Sequence, residues 1–126
     1  MLALETIRGV RIVADPAGIE SIKVIAGTVV LRFAPDDAFV LVEGRLESVE
    51  NDAIVVEESG FLGCWLTLAE VASRLVPHIE WPLPVTRPAL AQGLIAGVPA
   101  KLWLGVDRAL LLCAAPYAHD LAERLP

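Results

Sequence analysis

The sequence predicts an α+β protein: a ferredoxin-like (split βαβ) antiparallel sheet with helices on one face, preceded by additional N-terminal strands. Three observations predict it. From Gly63 onward the segments read strand, helix, strand, strand, strand, helix. Ala118, Leu121, Ala122 and Leu125 recur at helical spacing right after the continuously apolar run Ala109 to Ala114, so the closing helix lies down on the sheet it has just left. Leu68, Val71, Ala72, Leu75 and Val76 form a second apolar stripe behind Thr67-x-x-Glu70, which has capping-box spacing.

Taken in order, Glu5 to Ala14 reads as a first strand, with Val10, Ile12 and Ala14 alternating against Arg11 and Val13. Asp15-Pro16-Ala17-Gly18 is a turn by its residue types, and Ser21 to Ala26 a second strand ended by Gly27. Thr28 to Phe33, the loop Ala34 to Asp37 and Ala38 to Glu43 form a hairpin. Its shape is echoed by the later hairpin AKLWLGVDRALLLCA, a hint of internal duplication. Arg45 to Asp52 is short and acidic, a loop or one helical turn. Ala53 to Glu57 reads as a short strand broken by Ser59-Gly60, and Phe61 to Thr67 as another. Pro77 stops the helix that Thr67 begins. Prolines 77, 82, 84 and 88 keep the next stretch extended until the strand Ala91–Ala96. Lys101 to Leu104 alternates before the Gly105 turn, and Pro116 opens the last helix without losing a needed N–H.

At 126 residues the chain reads as one domain, 1–126. Apolar residues make up 56 % of it and aromatics only 6 %, so the surplus over the usual ~45–50 % is aliphatic. No apolar run is long enough for a membrane span and the N-terminus has no signal-peptide pattern, so a soluble cytoplasmic protein is expected. The net charge of −6 sits in the first half: residues 1–63 hold eleven acids and five bases, residues 64–126 five of each. With no basic stripe, nucleic acid is an unfavoured partner. Cys64 and Cys113 each sit in an apolar segment and read as reduced core thiols.

Catalytic patterns are sparse. His78 and His119 fall at a helix end and on a polar helix side, with no cysteine–histidine spacing for zinc and no glycine-rich strand-to-helix loop for phosphates. Cys64 has no histidine at a recognisable spacing. Asp36-Asp37 are turn formers, and Glu57-Glu58 point to opposite sides of a strand. No residue is therefore assigned to catalysis or to a metal. The tryptophans are more informative. Trp103 alternates out of phase with Leu102 and Leu104, which puts it with Lys101 on the sheet face the helices leave uncovered. Large amphipathic rings there suit a partner surface, and Trp65, Trp81, Trp103 and Lys101 are the candidate interface.

The run AIVVEESGFLGCWLTL, a leucine-bearing helix, a proline-punctuated crossing and then ALAQGLIAGVPAKLWLGVDRALLLCAAPYAHDLAERL resemble the gamma subunit of heterotetrameric sarcosine oxidase, within the folate-binding aminomethyltransferase-like group. The match is carried by Ala91-Gln92, Ala96-Gly97-Val98-Pro99, Leu102-Trp103, Asp107, Leu110 to Leu112, and Pro116-Tyr117-Ala118 with Leu121 and Leu125, over roughly residues 33 to 125. Where the family has a Gly-Pro turn, Leu66 to Ala69 runs straight through. The resemblance implies an accessory subunit with no cofactor of its own, flavin and tetrahydrofolate being expected on larger partner subunits of an amine-oxidising complex. Two other readings stand beside it. One is a folate-binding, aminomethyl-transferring domain in which Arg87 or Lys101 meets the glutamate tail. The other is a homo-oligomeric small-ligand module that self-associates through the same face.

Overall fold

A computed structural model of the chain describes residues 1–41, 46–49 and 51–126. By contact density the chain divides into two compact units, one of residues 1–7 with 60–126 and one of residues 8–59.

In the unit of residues 8–59, the second part of β1 (Glu5–Val13) pairs antiparallel with β4 (Asp37–Leu41), Gly9 opposite Leu41 and Val13 opposite Asp37. β4 pairs on its other side with β3 (Val30–Ala34). Alternation buries Ile12, Ala38 and Val40 with Ile19, which comes from α1 (Pro16–Glu20). Asp15 caps that helix by accepting from the Gly18 N–H at 2.7 Å, with Pro16 at its first turn. The expected turn at Asp15–Gly18 is thus a helix start. Capping chemistry and turn chemistry use the same residue types, and here the cap prevails. The strand expected over Ser21 to Ala26 shrinks to β2 (Lys23–Val24), which pairs with β5 (Leu46–Ser48). Of the loop expected over 45–52, residues 46–48 are strand; residues 45 and 50 of it, and the end of the hairpin strand at 42–43, lie outside the described residues. Arg11 joins the strands of this unit through Asp37 (2.5 and 2.6 Å) and Glu58 (3.1 Å).

The other unit holds the second part of β6 (Ile54–Thr67), then β7 (Ala89–Ile95), β8 (Val98–Leu104) and β9 (Arg108–Ala114). β9 lies between β6 and β8, and β7 is the outer strand beyond β8, each ladder antiparallel. This order overturns the ferredoxin-like expectation. A split βαβ unit needs its two strands parallel with one strand between them. Here β6 and β7 are separated by both β9 and β8, and three antiparallel steps leave them antiparallel. The fold is mostly antiparallel sheet with few helices. Sequence periodicity located most strands of this unit but carried no information on which neighbour each would take. Nor does Ser59-Gly60 break anything: β6 runs unbroken through both residues.

The helical segments are short. Thr67 opens α2 (Leu68–Glu70) with a complete capping box, Glu70 N–H to Thr67 Oγ1 and Thr67 N–H to Glu70 Oε1, both at 3.0 Å. The chain continues through a wider π turn, Val71–Leu75, and a 3₁₀ turn, Val76–His78, that carries Pro77. At the other end, Ala115–Tyr117 is a 3₁₀ turn leading into α3 (Ala118–Arg124). Val71, Leu75, Ala118, Leu121 and Leu125 pack on Leu66, Leu102, Leu104, Ala109, Leu111 and Cys113 as one core. Each leucine fully buried there contributes roughly 1.5–3 kcal/mol, which holds helices too short to persist alone.

Candidate functional site

Strand pairing fixes which side chains share the face opposite that core. Trp65 lies across from Leu110, Leu110 from Trp103, and Trp103 from Leu90, one row over four strands. The next row sets Leu112 between Gly63 and Lys101, with Gln92 beyond. Leu102 and Leu104, in phase with each other and out of phase with Trp103, belong to the helix-side core.

The structure brings Trp65 and Trp103 together, ring centroids 6.0 Å apart and planes at 87°, the edge-to-face arrangement the ring quadrupoles favour. Arg108 completes the cluster, its guanidinium carbon 3.8 Å from the Trp65 ring centroid. Gly105 permits this packing, because a Cβ there would come within 2.6 Å of the Trp103 six-membered ring. Both indoles are half-buried, Arg108 is exposed, and neighbouring Val106 is 77 % exposed. The centre of the face is closed: Leu110 and Leu112 are fully buried. What it presents to solvent is therefore the tryptophan pair, the Val106–Arg108 turn and Lys101, whose Nζ donates to Gln92 Oε1 at 2.6 Å.

Trp81 stands apart from that group. Its indole N–H donates to the Leu94 carbonyl at 2.9 Å and its ring lies against Gly93 on the side of the helices. Arg87, named for a ligand's carboxylate, donates to the Pro84 carbonyl of its own loop at 3.2 Å. Sequence reasoning missed Arg108, which it treated as a turn residue. The sequence shows only a cation closing the Gly105 turn; that it faces Trp65 depends on the β6–β9 register, which sets Arg108 opposite Thr67.

Burial pushes the Cys64 thiol up to about 11, and the Cys113 thiol upward too, the wrong direction for a nucleophile. Asp37 is engaged by Arg11 rather than by Asp36. Exposed His119 meets Glu123 at 3.4 Å along the last helix. Among the described residues no three His, Cys, Asp or Glu side chains gather as metal ligands. Nor, among the described residues, is any helix long and apolar enough to cross a membrane.

No family model matches the chain, and no curated protein matches it. Among solved structures, its fold is similar to a chain of heterotetrameric sarcosine oxidase from Corynebacterium sp. U-96 in complex with pyrrole 2-carboxylate. The TM-score is 0.68 at 15 % identity, covering 97 % of this chain and 80 % of that one. The likeness is one of fold, and it extends over nearly the whole chain, N-terminal strands included.

Proposed function

We propose that this chain is a non-catalytic accessory subunit, the counterpart of a gamma subunit, in a sarcosine-oxidase-like, flavin-dependent amine-oxidising complex of the cytoplasm. The observation that carries the reading is the fold likeness over 97 % of the chain to a component of a heterotetrameric oxidase. Two features of the chain itself support it. An aromatic pair with a stacked arginine, half-buried and set beside an exposed valine, is the composition of an interface anchor. Of the groups weighed for catalysis, Asp37 is bound into an ion pair with Arg11 and the Cys64 thiol is pushed away from reactivity. In this reading flavin and tetrahydrofolate belong to the larger subunits, and this chain docks to them through Trp65, Trp103 and Arg108.

The test is affinity purification of the tagged full chain from its native source. The expected result is co-elution with larger, flavin-bearing polypeptides, lost or strongly reduced in a Trp103→Ala, Arg108→Ala variant that keeps its circular dichroism. Elution of the chain alone, or only as copies of itself, would overturn the reading.

A further inference from the structure

A second site lies on the helix side of the unit of residues 60–126. Between the helix-ending segment Pro77–Trp81 and the β7–β8 turn there is a cleft of about 420 Å³, walled by Pro77, Trp81, Leu94 and Ala96 and edged by His78 and Glu80. That volume falls within the ~300–1,000 Å³ range of small-molecule sites.

The walls are fixed in advance. Ala96 and Gly97 both take positive φ (52° and 77°), the geometry of a tight two-residue hairpin turn. Such a conformation is costly for alanine, and it is held here from both sides: the Ala96 N–H donates to the His78 carbonyl at 2.9 Å, and Arg124 Nη1 donates to the Ala96 carbonyl at 3.0 Å. The Trp81 indole is pinned by its bond to the Leu94 carbonyl, and Gly93 leaves room for it: a Cβ there would approach the ring nitrogen to 2.8 Å. The main-chain carbonyls of His78, Leu94 and Ala96 are thus already occupied. What the cleft offers a ligand is an aromatic ring, aliphatic walls, and the side chains of His78 and Glu80, which make no hydrogen bond or ion pair among the described residues. Leu94, 56 % exposed, remains as apolar surface at the mouth.

We infer that this cleft binds a small organic cation, a protonated amine on a short aliphatic stem. The stem would lie along Leu94 and Pro77, the ammonium would pair with the Glu80 carboxylate and the Trp81 ring, and His78 would supply a hydrogen-bonding nitrogen. Arg124 reaches the same turn but is committed to the Ala96 carbonyl and is not part of the lining. Its charge would favour an anion instead, so the sign of the ligand is the decisive measurement.

The experiment follows the Trp81 indole N–H resonance of the full chain, assigned by its loss in Trp81→Phe, during titration with n-butylammonium and separately with butyrate. Saturable shifts with n-butylammonium alone are expected, with affinity about tenfold weaker in Glu80→Gln. Glu80 is exposed, so that variant removes the charge without disturbing packing. Three outcomes would overturn the inference: no saturable shift with the amine, an equal or stronger response to butyrate, or an unchanged affinity in Glu80→Gln. Each is independent of whether the chain joins an oxidase complex.

Discussion

Trp65 and Trp103 come from different strands and meet edge to face at 6.0 Å, joined across the sheet by Leu110, which stands opposite both. The pair is a cross-strand device as much as a surface one. It ties β6 to β8 over the back of β9.

A double-mutant cycle with Trp65→Leu and Trp103→Leu should therefore return a coupling of about 0.5–1.5 kcal/mol in urea unfolding of the full chain. Additive effects would mean that the rings contribute only by area, and the interface anchor would lose its preorganisation.

How much of this was legible beforehand depends on the kind of information each feature needs. The side on which Trp103 lies follows from period-two alternation against Leu102 and Leu104, and the sequence states it directly. The capping box at Thr67 and Glu70 was equally readable, because both halves of it are local. The topology was not. Nothing in the run Phe61 to Thr67 says that it takes β9 rather than β7 as its neighbour, and the ferredoxin-like expectation fell on that point. Trp81 sits in an extended proline-rich stretch with no periodicity to orient it, so its side was not legible; the structure puts it on the opposite side from Trp65 and Trp103. The Glu80–Trp81 cleft was invisible because it closes only when the β7–β8 turn folds back against residues 77–81.

Gly63 has no room for a side chain in the β6–β9 ladder. A Cβ there would collide with the Leu111 carbonyl oxygen and sit 3.3 Å from the Ile7 side chain. A main-chain oxygen cannot swing aside as a side chain can, so Gly63→Ala should cost about 1–3 kcal/mol by overpacking alone. Thermal unfolding checks it; a variant as stable as the parent would show that the β6–β9 ladder yields at this position.

The capping box makes a prediction with a pH signature. Thr67→Ala should destabilise by about 1 kcal/mol. The Thr67 N–H bond, chiefly, holds the Glu70 carboxyl below its usual value, aided by Arg74. A carboxylate depressed on folding adds stability that is present above its unfolded pKa and is lost as pH falls through the folded one. Glu70→Gln keeps an acceptor for the Thr67 N–H but should flatten that acid-side decline. An unchanged slope below pH ~4.5 would place the acid sensitivity elsewhere.

Cys64 gives the sharpest test of its neighbourhood. Its thiol is raised to about 11, first by burial and then by Glu70 and Glu5, with Arg74 opposing. A thiol raised on folding favours the protonated native state: its contribution to stability is whole below the ordinary thiol range near 8.5 and fades as pH rises toward 11. Only the thiolate is alkylated, so iodoacetamide should modify Cys64 far more slowly than glutathione at pH 7, the rate climbing with pH to a plateau only near the raised value. Cys113, buried and shifted the same way, should lag behind it. Peptide mapping of the alkylated chain separates the two sites. Modification of Cys64 at neutral pH as fast as the free thiol would mean that β6 opens there or that a base lies within reach, and a nucleophilic role would return to consideration.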